Sequence, residues 1–257
     1  MATDKNLKTV IITGAGSGIG LDTAKLLKET GGYRLILVGR DQDKLQMVAK
    51  EMGGVSDSLM TVPCDLRDSQ QIKKAVDRIT SNHKQIYGLV NNAGIYPFGG
   101  LTSTTEAVWD DAMNVNLKGP FLFTQAVVPY LAKSPGGARI VNVSSTAGIL
   151  PNHFALAYSV SKAALVHFSR TLAKELGKDG ITVNCICPGV VKSPLHSAYH
   201  ASQNELENFY AKRGAAFPMG RVGEPRDVSS AIRFFLSEDA SWVTGDVFVV
   251  DGGRLLL

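Results

Sequence analysis

The chain has 257 residues, 44% of them hydrophobic, so it can bury one sizeable core and we expect a single domain over residues 1–257. Its net charge of +4 comes from Lys and Arg residues that are dispersed among acids, which argues against a nucleic-acid-binding surface. The apolar stretches are too short to span a membrane and residues 1–6 do not resemble a secretory signal, so we expect a cytoplasmic protein.

Seven short apolar runs rich in β-branched residues predict strands, and helical segments separate them. The predicted strands cover residues 7–13, 34–38, 59–63, 89–91, 139–143, 182–187 and 247–250. This alternation predicts an α/β fold with a parallel, doubly wound sheet, whose ligands bind beyond the carboxyl ends of the strands. The three cysteines, Cys64, Cys185 and Cys187, occupy strand-like positions without metal-ligand spacing, so we expect buried thiols and no metal site.

The first strand runs into a glycine-rich turn, Thr13-Gly14-Ala15-Gly16-Ser17-Gly18-Ile19-Gly20. Glycines let a backbone turn tightly and approach a pyrophosphate, and the free N–H groups of the following helix attract its charge. The spacing is not the strict dinucleotide-binding pattern, so a plain turn is the alternative interpretation of this segment alone.

The second strand ends in Val38-Gly39-Arg40, about 20 residues beyond the glycine turn, where an acidic side chain would bind an adenosine ribose. A guanidinium at that place can pair with a 2′-phosphate, which favours NADP(H). NAD(H) is the alternative, because Asp41 or Asp43 could reach the ribose while Arg40 faces solvent.

Residues 155–176 form a helix-like run with apolar residues at four-residue spacing: Val160, Ala164, Phe168, Leu172 and Leu176. Tyr158 and Lys162 share one face of this helix, and we expect the ammonium to lower the pKa of the phenol. The pair could then act as acid and base near neutrality, although a solvated amphipathic pair would look the same.

These motifs occur in the order that is typical of the short-chain dehydrogenase/reductase family. The sequence resembles this family over essentially the whole chain, and in particular its 3-oxoacyl-acyl-carrier-protein reductase-like branch. The motifs are the glycine turn, Asn91-Asn92-Ala93-Gly94, Ser145, the pair Tyr158 and Lys162, and Pro188-Gly189. The resemblance implies the strand order 3-2-1-4-5-6-7, one dinucleotide-binding domain and a substrate lid near residues 194–219.

The resemblance also implies catalytic roles for four residues. Tyr158 would give a proton to a carbonyl oxygen while hydride from NADPH reaches the carbon, and Ser145 would hydrogen-bond that oxygen. Lys162 would bond the nicotinamide ribose, and Asn116 would hold a relay water, although without the resemblance Asn116 reads as structural. Ser144 should turn away, because neighbours on a strand face opposite sides.

The cofactor-binding residues that the resemblance implies are Gly14, Ser17, Gly18, Ile19, Gly20, Arg40, Asp65, Leu66, Asn92, Ala93, Gly94, Tyr158, Lys162, Pro188, Gly189, Val191 and Ser193. Among them Asp65 would contact adenine, although it could equally cap the helix that begins near Ser69. The Val191 backbone would meet the nicotinamide carboxamide, and Ser193 stands where the family more usually has threonine.

The expected substrate is a small carbonyl or alcohol compound, for which Tyr96, His153 and Phe154 suggest a partly aromatic pocket. Lid residues could also hold an aromatic or anionic group, although such cations more often lie on solvated helix faces; these residues are His196, Tyr199, His200, Phe209, Tyr210, Lys212 and Arg213. The resemblance and the apolar residues around Tyr158 predict a homotetramer, with a homodimer as the alternative.

The expected reaction is NADPH-dependent reduction of a ketone or 3-oxoacyl group. An NAD-dependent secondary-alcohol dehydrogenase is the first alternative, and an isomerase or dehydratase on the same scaffold is another. A non-catalytic nucleotide-binding regulator is the alternative from a different class, and the complete set of Asn116, Ser145, Tyr158 and Lys162 argues against it.

Overall fold

Seven parallel strands form one sheet in the order β3-β2-β1-β4-β5-β6-β7. The computed structural model describes residues 7–197 and 201–257, so the predicted lid residues Tyr199 and His200 lie outside the described residues. The strands are β1 Lys8–Thr13, β2 Tyr33–Gly39, β3 Leu59–Pro63, β4 Gly88–Asn91, β5 Ala138–Val143, β6 Ile181–Pro188 and β7 Val247–Val250. The fold class, the strand order and the positions of all seven predicted strands are confirmed, with each boundary within one residue.

Helices cover both faces of this sheet. They are α1 Gly18–Thr30, α2 Gln42–Glu51, α3 Ser69–Asn82, α4 Glu106–Met113, α5 Gly119–Leu131, α6 Leu156–Leu176, α7 Pro194–Ser197, α8 Gln203–Ala215 and α9 Pro225–Leu236. A π-helical turn, Asn114–Lys118, joins α4 to α5. The predicted helix over residues 155–176 is α6, which begins one residue later.

Alternate residues of the central strand β1 enter two separate hydrophobic cores. Val10 and Ile12 pack in the core that includes residues of α1, α2 and α9, whereas Ile11 packs in the core that includes residues of α3, α5 and α6. Because both faces are buried, the strand is a continuous apolar run rather than an alternating one. A ligand can therefore approach the central strands only at their ends.

The described residues also show the state of the cysteines, the lengths of the apolar helices and the grouping of possible metal ligands. The three cysteines are buried, unpaired thiols, as predicted. Within residues 7–197 and 201–257, no helix combines the length and the apolarity needed to cross a membrane. The same residues contain no group of three or more His, Cys, Asp or Glu side chains placed to hold a metal ion.

The hydroxyl of Thr13 ties the carboxyl end of β1 to that of β4. It donates to the Val90 carbonyl (3.3 Å) and accepts from the backbone N–H groups of Asn92 (3.0 Å) and Ala93 (3.1 Å). A hydroxyl has one hydrogen and two lone pairs, so this buried group is fully used. In addition, the Asn92 side chain donates to the Thr13 carbonyl (3.0 Å), which fixes the segment after β4 beside the glycine turn.

We expect Thr13→Val to lower the free energy of unfolding by about 2 kcal/mol, because two buried amides lose their acceptor. The matched control is Thr9→Val on the same strand, where the buried hydroxyl accepts a long bond of 3.5 Å from Arg34. Urea unfolding of both variants measures the difference. An equal loss in the two variants would show that the Thr13 hydroxyl does not hold the strand ends together.

Candidate active site

The carboxyl ends of the central strands open into a cavity of about 1250 Å³. This volume exceeds the roughly 300–1,000 Å³ of a typical small-molecule pocket, so the cavity has room for more than one ligand. Of the predicted catalytic and cofactor-binding residues, Gly20 and Asn116 do not line this cavity, and all the others do.

The glycine turn between β1 and α1 forms one wall of the cavity. Gly14 has a φ of +66°, and a Cβ there would lie 2.9 Å from the Cα of Ala93. Gly18 has a φ of +54° and faces Ser193 across the cleft, with 3.2 Å between its hypothetical Cβ and the Ser193 Cβ. Gly20 lies behind the turn, where a Cβ would strike the Gly14 carbonyl. These glycines leave the space that a pyrophosphate needs to approach the backbone.

The first backbone amides of α1 have no side-chain cap among the described residues. Such amides are unpaired by the geometry of a helix and attract anions. The turn and the helix start therefore fit the diphosphate of a dinucleotide.

Two basic residues, Arg40 and Lys44, lie at the far end of the cavity beyond β2. Arg40 is exposed and has no ion pair or hydrogen bond with any residue in the described part of the chain. The side chain of Lys44 lies over Gly16, 3.5 Å from where a Cβ would stand. Asp41, which the sequence offered as a ribose ligand, instead caps α2 by accepting from the Lys44 amide (3.0 Å).

The sequence analysis missed Lys44, although its position in the first turn of the helix that follows Arg40 was a usable signal. Because both side chains reach the cavity, this end of the site is cationic.

Asp65 and Leu66 follow β3 and line the same end of the cavity. The alternative role of Asp65 as a helix cap is wrong, because Asp68 caps α3 by accepting from two amides of its first turn. The Asp65 carboxylate instead accepts from the backbone N–H (3.0 Å) and Nε (3.2 Å) of Arg67.

The opposite end of the cleft is built from the residues that follow β6. A Cβ at Gly189 would lie 2.9 Å from the Cα of Asp251, so only glycine fits there without a shift of the backbone. The backbone of Val191 pairs with that of Gly223, which holds this segment at the cavity wall beside Ser193.

Tyr158 lies in the first turns of α6, where it is buried and its phenol faces the hydroxyl of Ser145. Burial raises the pKa of Tyr158 to about 12, and the interaction with Ser145 opposes this increase only in part. The prediction that Lys162 lowers this pKa is therefore wrong for the structure. The Nζ atom lies 5.8 Å from the centre of the phenol ring, and desolvation of the phenolate is the largest effect on the pKa of Tyr158.

Lys162 is also buried, and burial lowers its pKa to about 8. Its Nζ atom donates to the Val143 carbonyl at 2.8 Å. A Cβ at Gly94 would lie 3.4 Å from the same Nζ, so the lack of a side chain there leaves room for the ammonium.

The two serines that follow β5 point in different directions. Ser144 also lines the cavity, contrary to the expectation that it turns away, but its hydroxyl donates to the Lys162 carbonyl (2.8 Å). The Ser145 oxygen accepts from the Ala147 amide (3.1 Å) and faces Tyr158. Tyr158 and Ser145 can therefore bond a common oxygen atom in the cavity.

Asn116 lies in the π-helical turn and is fully buried. Its amide nitrogen donates to the Ile95 carbonyl and to Ser161 Oγ, both at 3.0 Å, and its oxygen accepts from the Ile95 amide (2.9 Å). Both amide hydrogens are thus used to join the segment after β4 to α6. The contacts give Asn116 a positioning role, and the relay water stays a prediction.

Aromatic residues surround the cavity beside Tyr158. The Tyr96 ring contacts the Tyr158 ring with 4.5 Å between centroids, and its hydroxyl accepts from the Asn152 side chain (3.2 Å). His153 and Phe154 also line the cavity, as expected.

One residue differs from its expected role, and another was not predicted. Tyr210, which was expected to contact substrate, is buried and bonds the backbone of Ser193, so it holds the segment after β6. Arg254 lines the cavity as well, and the sequence analysis missed it because only tertiary folding brings that segment to the site.

The sequence is similar to known oxidoreductases over nearly its whole length. A family profile described as enoyl-(acyl carrier protein) reductase matches residues 14–254. The chain is 36% identical over 249 residues to the 3-oxoacyl-(acyl-carrier-protein) reductase FabG of Thermotoga maritima. The aligned region covers 97% of this chain and 98% of that protein. The chain is 33% identical to human dehydrogenase/reductase SDR family member 4, over 96% of this chain and 87% of the relative.

Among solved structures, the ligand-free aldohexose dehydrogenase of Thermoplasma acidophilum is similar, with a TM-score of 0.87 and 29% identity. The match covers 99% of this chain and 96% of that one.

Proposed function

Because this chain belongs to the short-chain dehydrogenase/reductase family of oxidoreductases, we propose that it transfers hydride between NADP(H) and a carbonyl or secondary alcohol, chiefly as a reductase of a ketone or 3-oxoacyl group. The observation that carries the proposal is the buried phenol of Tyr158, which faces Ser145 and lies close to Lys162 in a large cavity. The similar protein from Thermotoga maritima, a 3-oxoacyl-(acyl-carrier-protein) reductase, supports the substrate class.

The protonation state of Tyr158 favours reduction. With a pKa of about 12, the phenol keeps its proton at neutral pH and can give it to a carbonyl oxygen. Ser145 donates its own hydrogen to the same oxygen and stabilises the charge that develops there. The Lys162 ammonium then faces the negative charge left on the phenol oxygen. When bound, NADP(H) supplies or accepts the hydride.

The preference for NADP(H) over NAD(H) rests on Arg40 and Lys44. Both side chains line the cavity end beyond β2, where an NAD enzyme would present an acid, and the nearby Asp41 is engaged as a helix cap. Guanidinium and ammonium groups bind phosphate oxygens by charge-assisted hydrogen bonds, so they suit a 2′-phosphate. An NAD-dependent secondary-alcohol dehydrogenase is the second candidate.

We also propose that the chain works as one dinucleotide-binding domain with a lid near residues 194–219, assembled as a homotetramer. Two separate apolar surfaces support the assembly. On α5 and α6, Phe121 and Val160 are exposed and the Phe121 ring contacts Phe168 at 6.2 Å. On the sheet edge, β7 exposes Phe248 and Val249. Exposed apolar patches and open strand edges are typical of subunit contacts.

Tyr158→Phe should reduce turnover by about a thousandfold, because only the transferable proton is removed. NADPH binding, followed by fluorescence titration, should be nearly unchanged. The assay follows reduced nicotinamide absorbance over a panel of ketones, 3-oxoacyl thioesters and secondary alcohols, with both cofactors. Tyr130→Phe, a change in a phenol outside the cavity on α5, is the control. Turnover that survives in Tyr158→Phe would refute the assignment, and cofactor binding without any turnover would favour a nucleotide-binding regulator.

The rate of carbonyl reduction should be constant near neutrality and fall about tenfold per pH unit above about pH 8. The reason is that Lys162 loses its proton in that range, while Tyr158 keeps its own until about pH 12. The other titratable groups that act on Lys162 are Cys185 and Cys187, which oppose the lowering of its pKa. A pH profile of kcat/KM measures the decline.

Lys162→Arg is the matched variant for this profile, because a guanidinium keeps its charge throughout the range. Its rate should be lower but should lack the decline. A decline at the same pH in the variant would show that another group causes it.

Arg40→Ala and Lys44→Ala should each weaken NADPH binding about tenfold and leave NADH binding almost unchanged, because each removes one charge-assisted bond to the 2′-phosphate. Lys50→Ala on the same helix is the control, since that exposed side chain does not line the cavity. Dissociation constants from fluorescence titration decide the outcome. Equal losses for the two cofactors would mean that neither residue distinguishes them.

A further inference from the structure

A line of rings leads away from the Tyr158 phenol toward the lid. The ring of Tyr96 lies 4.5 Å from that of Tyr158, and the ring of His196 lies 5.9 Å from Tyr96. His196 in turn contacts Phe209 on α8 at 5.7 Å. Because these distances suit edge-to-face or tilted contacts, the rings form one continuous wall of the cavity. An apolar or aromatic group that extends from a carbonyl bonded to Tyr158 would lie along this wall.

Two arginines stand beside this wall, and both line the cavity. The Arg213 guanidinium lies over the Phe209 ring, 5.6 Å from its centre. Arg254 is half-buried and comes from the segment after β7. Burial raises the pKa of the Tyr96 phenol, and both arginines act against that increase. Each guanidinium therefore lies close enough to Tyr96 for its charge to act on the ring that contacts Tyr158.

No acidic residue in the described part of the chain balances this charge. The acids that line the cavity are Asp41 and Asp65, which lie at the end beyond β2 and β3 and are engaged there. Neither Arg213 nor Arg254 forms an ion pair with a described residue. By contrast, Arg221, which is exposed like Arg213, is paired with the carboxylate of Asp227 at 2.6 Å.

Arg254 is half-buried, and a cation that is partly removed from water without a counter-ion is unfavourable, so it suits a site that an anion completes. Arg213 is exposed, and it places a second guanidinium at the same cavity wall. The guanidinium is also the side chain whose planar donors match the two oxygens of a carboxylate or phosphate.

We propose that the substrate carries an anionic group, a carboxylate or a phosphate, on an apolar body, and that Arg213 and Arg254 bind this group while the carbonyl meets Tyr158. The proposal rests on the proposed reductase function and adds the substrate class to it. The apolar body lies against Tyr96 and Phe209, between the reacting carbonyl and the charge. Arg213 and Arg254 are therefore specificity-determining residues, and both lie outside the proton-transfer machinery.

Matched pairs of acids and esters test the proposal by kinetics. The compounds are benzoylpropionate and benzoylbutyrate, each compared with its methyl ester, with NADPH as reductant. We expect kcat/KM to be about tenfold or more higher for at least one acid than for its ester, because the ester cannot make charge-assisted bonds. Equal values in both pairs would overturn the proposal, while turnover of the esters that depends on Tyr158 would leave the reductase function intact.

Arg213→Gln and Arg254→Gln should each remove most of the difference between acid and ester while changing ester turnover little. Lys212→Gln is the matched control, because this neighbouring cation on α8 is exposed and does not line the cavity. A preference for the acid that persists in both arginine variants would overturn the proposal.

A binding measurement tests the anion site even if the protein reduces none of these compounds. Calorimetry of the NADPH-loaded protein compares phenylbutyrate with the neutral phenylbutyramide. The carboxylate should bind about tenfold more tightly in the original protein and in Tyr158→Phe, and this advantage should disappear in Arg213→Gln and Arg254→Gln. Equal binding of the two compounds, or no binding of either, would refute the anion site. Retained binding with no turnover would count against the reductase function alone.

Discussion

The ammonium of Lys162 lies inside the protein, and the arrangement of the site follows from accommodating it. A buried ion loses its water shell at a cost of several kcal/mol unless polar groups replace that shell. Here the Val143 carbonyl accepts a bond from Nζ, and Gly94 leaves space beside it. Burial nevertheless lowers the pKa of Lys162 to about 8, so the charge persists at neutral pH with little margin. The same desolvation keeps the Tyr158 phenol protonated, and one environment thus prepares both the acid and the cation.

This balance depends on how firmly α6 is fixed to the sheet, and buried hydrogen bonds to its polar face hold it. Asn116 donates to Ser161, and Asn142 of β5 donates to Ser169 at 2.8 Å. Ser144 bonds the backbone of α6 at the carbonyl of Lys162. Networks of this kind specify one arrangement, because any displacement would leave buried polar groups without partners. The helix is therefore positioned by polar contacts as much as by its apolar residues.

The strands could be predicted because their β-branched runs are short, continuous and separated by helices, but the order of the sheet needed the family resemblance. Spacing alone also placed Tyr158 beside Lys162. It gave the wrong direction for the pKa of Tyr158, because burial is a property of the tertiary structure and not of the i, i+4 relation. Competing aspartates obscured the cap of α3, which is Asp68. No local pattern could reveal Arg254, which reaches the cavity only through long-range folding.

The central position of β1 has a consequence for synthesis of the chain. One edge of β1 pairs with β2, which is made soon afterwards, but its other edge pairs with β4, which follows only after β3 and α3. During that interval Val10, Ile11 and Ile12 present an apolar, unpaired strand edge, the type of surface that promotes aggregation. The strand that later supports the glycine turn is therefore exposed to aggregation until β4 has been made.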